Sequence, residues 1–206
     1  MTGGYVGDIE YAPHFVAEIA PAWLDLTLLI GGREPPSRRD GFTWCELGCG
    51  PGVTAALLAA THPRGRFHAV DMLPAHIEQA SRLRDAVRAD NLVLHEADFA
   101  SIAERELPRF DYVVAHGVYS WVDASARAAL RRFVERHLAP GGALYLSYNA
   151  MPGWRRDAPF QQLVRALATT QRGDSATRFA GAMRAVEAVH AVGAPALAES
   201  EMLRGR

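Results

Sequence analysis

The sequence contains no lysine: every one of its 22 basic side chains is arginine. Schiff-base catalysis and methylation of its own side-chain amines are therefore excluded. An excess of either charge is also missing, because 22 basic residues meet 23 acidic ones for a formal net charge of −1. Nothing in that balance favours a phosphate backbone or an anionic lipid surface as partner, so no nucleic acid is expected. Cysteine is scarce. Cys45 and Cys49 stand alone, without the second pair a metal site needs, and are expected to be reduced packing residues with no metal bound. No apolar run reaches the ~18 residues of a membrane span, and the N-terminus lacks a basic stretch leading into an apolar one. A cytoplasmic protein that does not enter the membrane is the expectation.

What the chain does have is apolar material, 49% of 206 residues, enough for one sizeable core and an appendage. From Tyr5 to Leu29 the apolar positions fall at helical spacing, with Pro13 and Pro21 each suited to a first turn. The polar, proline-bearing stretch Gly31–Gly41 reads as a loop. Beyond it the pattern alternates. Strands are predicted at Thr43–Leu47, Arg66–Val70, Leu92–His95, Tyr112–Ala115 and, after the turn Pro140-Gly141-Gly142, at Ala143–Tyr148. Helices are predicted between them at Val53–Thr61, Ala75–Arg88, Ser101–Arg105 and Ala124–Leu138. This is the signature of a mostly parallel α/β sheet wound on both faces. After Tyr148 only amphipathic helices follow, at Phe160–Thr170 and Ala176–Val192. Their arginines give this part a basic bias, read as a solvated face rather than a dock for an acidic partner.

In such a sheet a ligand lies beyond the carboxyl ends of the strands, cradled by the first strand-to-helix turn. The richest glycine run falls there: Glu46-Leu47-Gly48-Cys49-Gly50-Pro51-Gly52. Gly48, Gly50 and Gly52 permit a tight turn and a close approach of ligand to backbone, and the helix that follows offers free N–H groups. The dinucleotide fingerprint would place its third glycine at position 53, where this chain has Val53. The run E-x-G-x-G-x-G instead resembles motif I of class I S-adenosylmethionine-dependent methyltransferases. That resemblance implies that Glu46 organises the loop and the cofactor's amino group, with Gly48, Cys49, Gly50 and Gly52 beneath its amino-acid part and ribose. It implies that Asp71, ending the second strand, receives the ribose hydroxyls, a task suited to a carboxylate. Asp98 would meet the adenine amine, with Phe99 or Met72 against the ring.

Methyl transfer from a sulfonium needs chiefly alignment and exclusion of water. An ammonium acceptor must first lose a proton, and a Tyr or His can take it. The fourth strand opens into His116-Gly117-Val118-Tyr119-Ser120-Trp121-Val122, where the family places its acceptor pocket, and the fifth ends in Tyr148-Asn149-Ala150-Met151-Pro152-Gly153-Trp154. His116, Tyr119 and Tyr148 are the candidate catalytic residues, and His116 also borders the cofactor. For Tyr119 and Trp121, packing under the next helix is the competing role. These segments, with the N-terminal Tyr5…Tyr11…Phe15…Pro21 pattern, resemble a bacterial group that includes rickettsial-type protein lysine methyltransferases and carries a methyltransferase regulatory region. The resemblance implies that Tyr5 and Tyr11 fold over the cofactor as a lid.

The expected architecture is therefore a Rossmann-like, doubly wound domain at 42–154, an N-terminal helical lid and linker at 1–41 and a helical extension at 155–206. The sixth and seventh strands of a full class I sheet are not found, which suggests a truncated chain. The expected function is methyl transfer from S-adenosyl-L-methionine to a nitrogen or oxygen acceptor, protein or small molecule. The competing readings are a non-catalytic module that binds the same cofactor and a nicotinamide-dependent oxidoreductase. Oligomeric state is left open.

Overall fold

The computed structural model describes residues 13–37, 40–155 and 157–194. Five strands form one parallel sheet in the order β3-β2-β1-β4-β5. They are β1 (Phe42–Leu47), β2 (Gly65–Asp71), β3 (Leu92–Glu96), β4 (Phe110–Ala115) and β5 (Leu138–Leu146). The helices between them are α2 (Val53–Thr61), α3 (Pro74–Ala86), α4 (Phe99–Glu104) and α5 (Ala124–His137), preceded by α1 (Pro21–Ile30). The doubly wound α/β fold read from the alternation is thus present. Chain order runs outward from β1 to β3 and then returns to β4 on the other side of β1. The strand order reverses between β1 and β4, which is where such sheets open a crevice.

All six residues of β1 are buried, as the central strand of a sheet covered on both faces requires. Alternation sends Phe42 and Trp44 to one face with Phe67, Tyr112 and Val114, against Ile19, Leu24 and the alanine-rich side of α2. Cys45 and Leu47 face the other way with Val113 and Ala115, against Phe99 and Ile102 of α4 and Phe133 of α5. Side-chain caps set two helix starts: Asp98 accepts from the Ser101 N–H at 2.7 Å and Asp123 from the Ala126 N–H at 2.8 Å.

Three bonds fasten the N-terminal segment to the first of these faces. The Val16 N–H donates to Thr54 Oγ1 at 3.0 Å, the Trp44 indole N–H to the Ile19 carbonyl at 3.1 Å, and the Tyr112 hydroxyl to Asp25 Oδ1 at 2.6 Å. Pro21 opens α1 as expected, but Pro13 opens no helix; a single 3₁₀ turn at Ala17–Ile19 lies between them.

The fifth strand differs from expectation. It begins at Leu138, not after the glycines, and ends at Leu146, short of Tyr148. Leu138 pairs with Phe110 and Ala143 with Tyr112, so the Pro140-Gly141-Gly142 stretch is an irregularity inside the strand, with Gly141 at φ 77°. An edge strand tolerates this because one side of its ladder has no partner to break.

Residues 149–194 form a second compact unit. It holds a 3₁₀ turn (Gly153–Arg155) and two helices, α6 (Ala158–Thr170) and α7 (Ser175–Ala191). Phe160 and Val164 of α6 pack against Ala182, Met183 and Val186 of α7. Among the described residues no helix is long and apolar enough to cross a membrane.

Candidate active site

The loop from β1 to α2 is built by its glycines and tied down by β2. Gly48, Gly50 and Gly52 all have positive φ, at 78°, 54° and 72°. The N–H groups of Gly48 and Cys49 both donate to the Val70 carbonyl, at 2.8 and 3.0 Å. A Cβ on Gly48 would lie 2.6 Å from Val118, and one on Gly52 2.5 Å from Ala80, so both positions are closed to larger residues by packing as well as by backbone angle. Among the described residues nothing lies within 4 Å of that position at Gly50. The loop therefore presents bare backbone to open space at one residue, Gly50.

Asp71 ends β2 beside this loop and is mostly committed to the protein. Its Oδ2 accepts from the Gly50 N–H at 2.9 Å, and its Oδ1 from the Leu73 N–H at 3.0 Å and from His76 Nδ1 at 3.1 Å. Of roughly four acceptor positions on a carboxylate, three are filled, so Asp71 organises the loop, a task the sequence had given to Glu46. Glu46 is buried, and among the described residues its Oε2 has no hydrogen-bond partner. Burial, and then the neighbouring Asp71, push its pKa up to about 8. Burial first, then Glu46 and Asp71, also raises the pKa of the half-buried Cys49 thiol.

On the β4 and β5 side, Glu46 is level with Val114 and Val114 with Tyr145, so the three form a row across one face of the sheet. One step further along β4, His116 Nδ1 lies 3.1 Å from the Tyr145 hydroxyl, with the rings stacked at a centroid distance of 6.0 Å. Burial lowers the His116 pKa, Glu18 opposes that shift and His14 adds to it. Burial and then Glu18 raise that of Tyr145. At neutral pH this gives a neutral imidazole against a protonated phenol. Tyr119 meets Tyr148 edge-on at 6.3 Å, and the Arg127 guanidinium lies 5.2 Å from the centre of the Tyr119 ring. Tyr148 is 61% exposed. The Gly117 N–H donates to Ser147 Oγ at 2.7 Å, fastening the two strand exits together.

The structure thus brings together Glu46, Gly48, Cys49, Gly50, Gly52 and Asp71 at the β1–α2 junction, sets His116 at the exit of the neighbouring strand β4 and pairs Tyr119 with Tyr148. Asp98 is half-buried and caps α4, and the bond from Ser101 is the first cause of its lowered pKa. Phe99 is 5% exposed and packs in the core, while Met72 is half-buried next to Asp71. Tyr5 and Tyr11 lie outside the described residues. Sequence reasoning missed Tyr145, His76, His14 and Glu18. A period-two reading of β5 in register with β4 would have found Tyr145; the others depend on tertiary packing.

Residues 45–144 match the family model of a methyltransferase domain. That stretch is similar to methyltransferase domains. The cofactor of that family is S-adenosyl-L-methionine. Over 161 residues the chain is 35% identical to an uncharacterized protein of Synechocystis sp., covering 78% of this chain and 32% of that one. Over 145 residues it is 34% identical to trans-aconitate 2-methyltransferase of Streptomyces coelicolor, covering 70% and 45%. Among solved structures, PKMT2 from Rickettsia typhi in complex with AdoHcy matches with a TM-score of 0.72 at 23% identity, covering 89% of this chain and 35% of that one. The chain spans less than half the length of each of these three proteins. Among the described residues the glycine loop fits that cofactor in two respects: backbone at Gly50 with nothing within 4 Å of a Cβ position, and a buried carboxyl oxygen at Glu46 without a partner.

Proposed function

We propose that the protein transfers a methyl group from S-adenosyl-L-methionine to a nucleophilic acceptor, and that this acceptor is an amine such as a protein lysine. The observation that carries the cofactor reading is the Glu46 oxygen, buried and among the described residues without a partner, at the end of the strand that leads into the Gly50 loop. A buried polar atom left unsatisfied is costly, and an ammonium donor such as the cofactor's α-amino group would satisfy it. Gly48, Gly50 and Gly52 lie beneath the ligand in this reading, and Asp71 has one acceptor position left for a ribose hydroxyl. Asp98 and Phe99 contribute to the adenine end chiefly by shaping α4, and Met72 by its position beside Asp71.

When bound, the cofactor supplies a methyl group on a positively charged sulfur, an electrophile that is already activated. The side chains must then align the acceptor, exclude water and remove one proton. The bound cofactor would serve as methyl donor to the amine, and the neutral imidazole of His116 would take the amine's proton. Glu18 and the faces of Tyr119 and Tyr148 favour a cationic acceptor over a carboxylate. The name of the rickettsial neighbour supports an amine, whereas that of the trans-aconitate enzyme points to an acid. The two free thiols fit a reducing cytoplasm.

Calorimetric titration with S-adenosylmethionine, with its demethylated product and, separately, with NAD tests the reading. Micromolar binding of the first two, absent for NAD and lost in Asp71→Ala, is the expected result. NAD binding in their place would overturn it.

A further inference from the structure

We infer that His76 is a positioning residue for the cofactor loop, acting through Asp71. The inference rests on the cofactor reading above. His76 stands in the first turn of α3, after Pro74, and is only 1% exposed. Its Nδ1 is 3.1 Å from Asp71 Oδ1, the oxygen that also receives the Leu73 N–H, while the other oxygen holds the Gly50 N–H. An ionised carboxylate only accepts, so the bond requires the ring proton on Nδ1.

A carboxyl group pivots freely about its last bond, a broad torsion with no strong preference. Donors on both oxygens fix its plane, and of those donors His76 is the one rigid side chain. Leu73 N–H comes from the turn just after Asp71, and Gly50 N–H belongs to the very loop that must be held. His76 is anchored instead by α3, the helix whose Ala80 abuts Gly52. The same helix therefore braces the glycine loop twice, by packing at Gly52 and through Asp71 at Gly50. A leucine would fill the space that His76 occupies, but it would leave Asp71 free to turn.

The test measures the dissociation constant for S-adenosylmethionine, with thermal midpoints, in wild type, His76→Leu, His76→Asn and Asp71→Ala. Leucine keeps bulk and removes the donor; asparagine restores an N–H close to where Nδ1 stands. The expected result is about tenfold weaker binding for His76→Leu, or ~1.4 kcal/mol. Recovery to within about threefold is expected for His76→Asn, with binding lost in Asp71→Ala. Wild-type affinity in His76→Leu would overturn the inference while leaving the cofactor reading intact. So would equal losses in both His76 variants, which marks a packing role. Failure of folded wild type to bind would overturn both.

Discussion

Glu46 carries a cost that the fold retains. Its carboxyl is buried and lies near Asp71, so in the folded protein it ionises only at about pH 8, against 4.5 for an ordinary glutamate. Because the folded value is the higher one, the folded state binds the extra proton between these limits. The contribution to stability is present in full below pH 4.5 and falls as the pH rises through 8. Glu46→Gln keeps the shape and removes the titration. The variant is expected to be more stable than wild type at pH 7, by up to about 3 kcal/mol, with a thermal midpoint that no longer declines between pH 5 and 8. The same change should weaken cofactor binding. Greater stability with poorer binding is the mark of a group kept for function, and a variant less stable at pH 7 would refute the account.

Individual residues were unevenly legible. The glycines and Asp71 announce themselves, because a turn with positive φ and a carboxylate at a strand end leave local marks. Asp98 left the same mark for another reason, since a cap and a ligand-binding acid look alike in sequence. His76 and Tyr145 left none. Each gains its role from one neighbour contributed by another element, which no local pattern records.

At the scale of elements, the β1–α2 junction separates packing from binding within one loop. Gly52 abuts α3, and its replacement by alanine forces Cβ to 2.5 Å from Ala80 Cβ. Gly50→Ala meets nothing within 4 Å and bears only the backbone cost of a positive φ, about 1–2 kcal/mol. Urea unfolding should therefore show Gly52→Ala as the more damaging change, at more than about 2 kcal/mol. Gly50→Ala should fold and yet lose cofactor affinity by about tenfold or more, because its methyl stands where the ligand would lie. Unchanged affinity in Gly50→Ala would mean that the ligand approaches elsewhere. Most element boundaries were readable to within one or two residues, since buried parallel strands and alanine-rich helices have contrasting periods. β5 misled because Pro140-Gly141-Gly142 has the composition of a turn. Pairing of Leu138 with Phe110 is a property of two strands and cannot be seen in either alone.

For the molecule as a whole, the N-terminal segment belongs to the sheet's packing. The Tyr112–Asp25 bond joins the middle of β4 to α1 at 2.6 Å, with both groups buried. Tyr112→Phe keeps the ring in the core and loses only the hydroxyl. It should lower the unfolding free energy by about 1–3 kcal/mol in urea denaturation, and a change within error would show that the bond contributes little beyond packing. The sequence indicated helices here but not their attachment, because Asp25 reads as an ordinary polar position on an amphipathic helix.

That attachment sets an order of events during synthesis. Tyr112 is made 87 residues after its partner Asp25, an interval of roughly 4–17 s at ordinary elongation rates. The bonds from Val16 to Thr54 and from Trp44 to Ile19 span only 38 and 25 residues and can form sooner. The Tyr112–Asp25 bond therefore closes α1 onto the sheet only after most of the strands have been made.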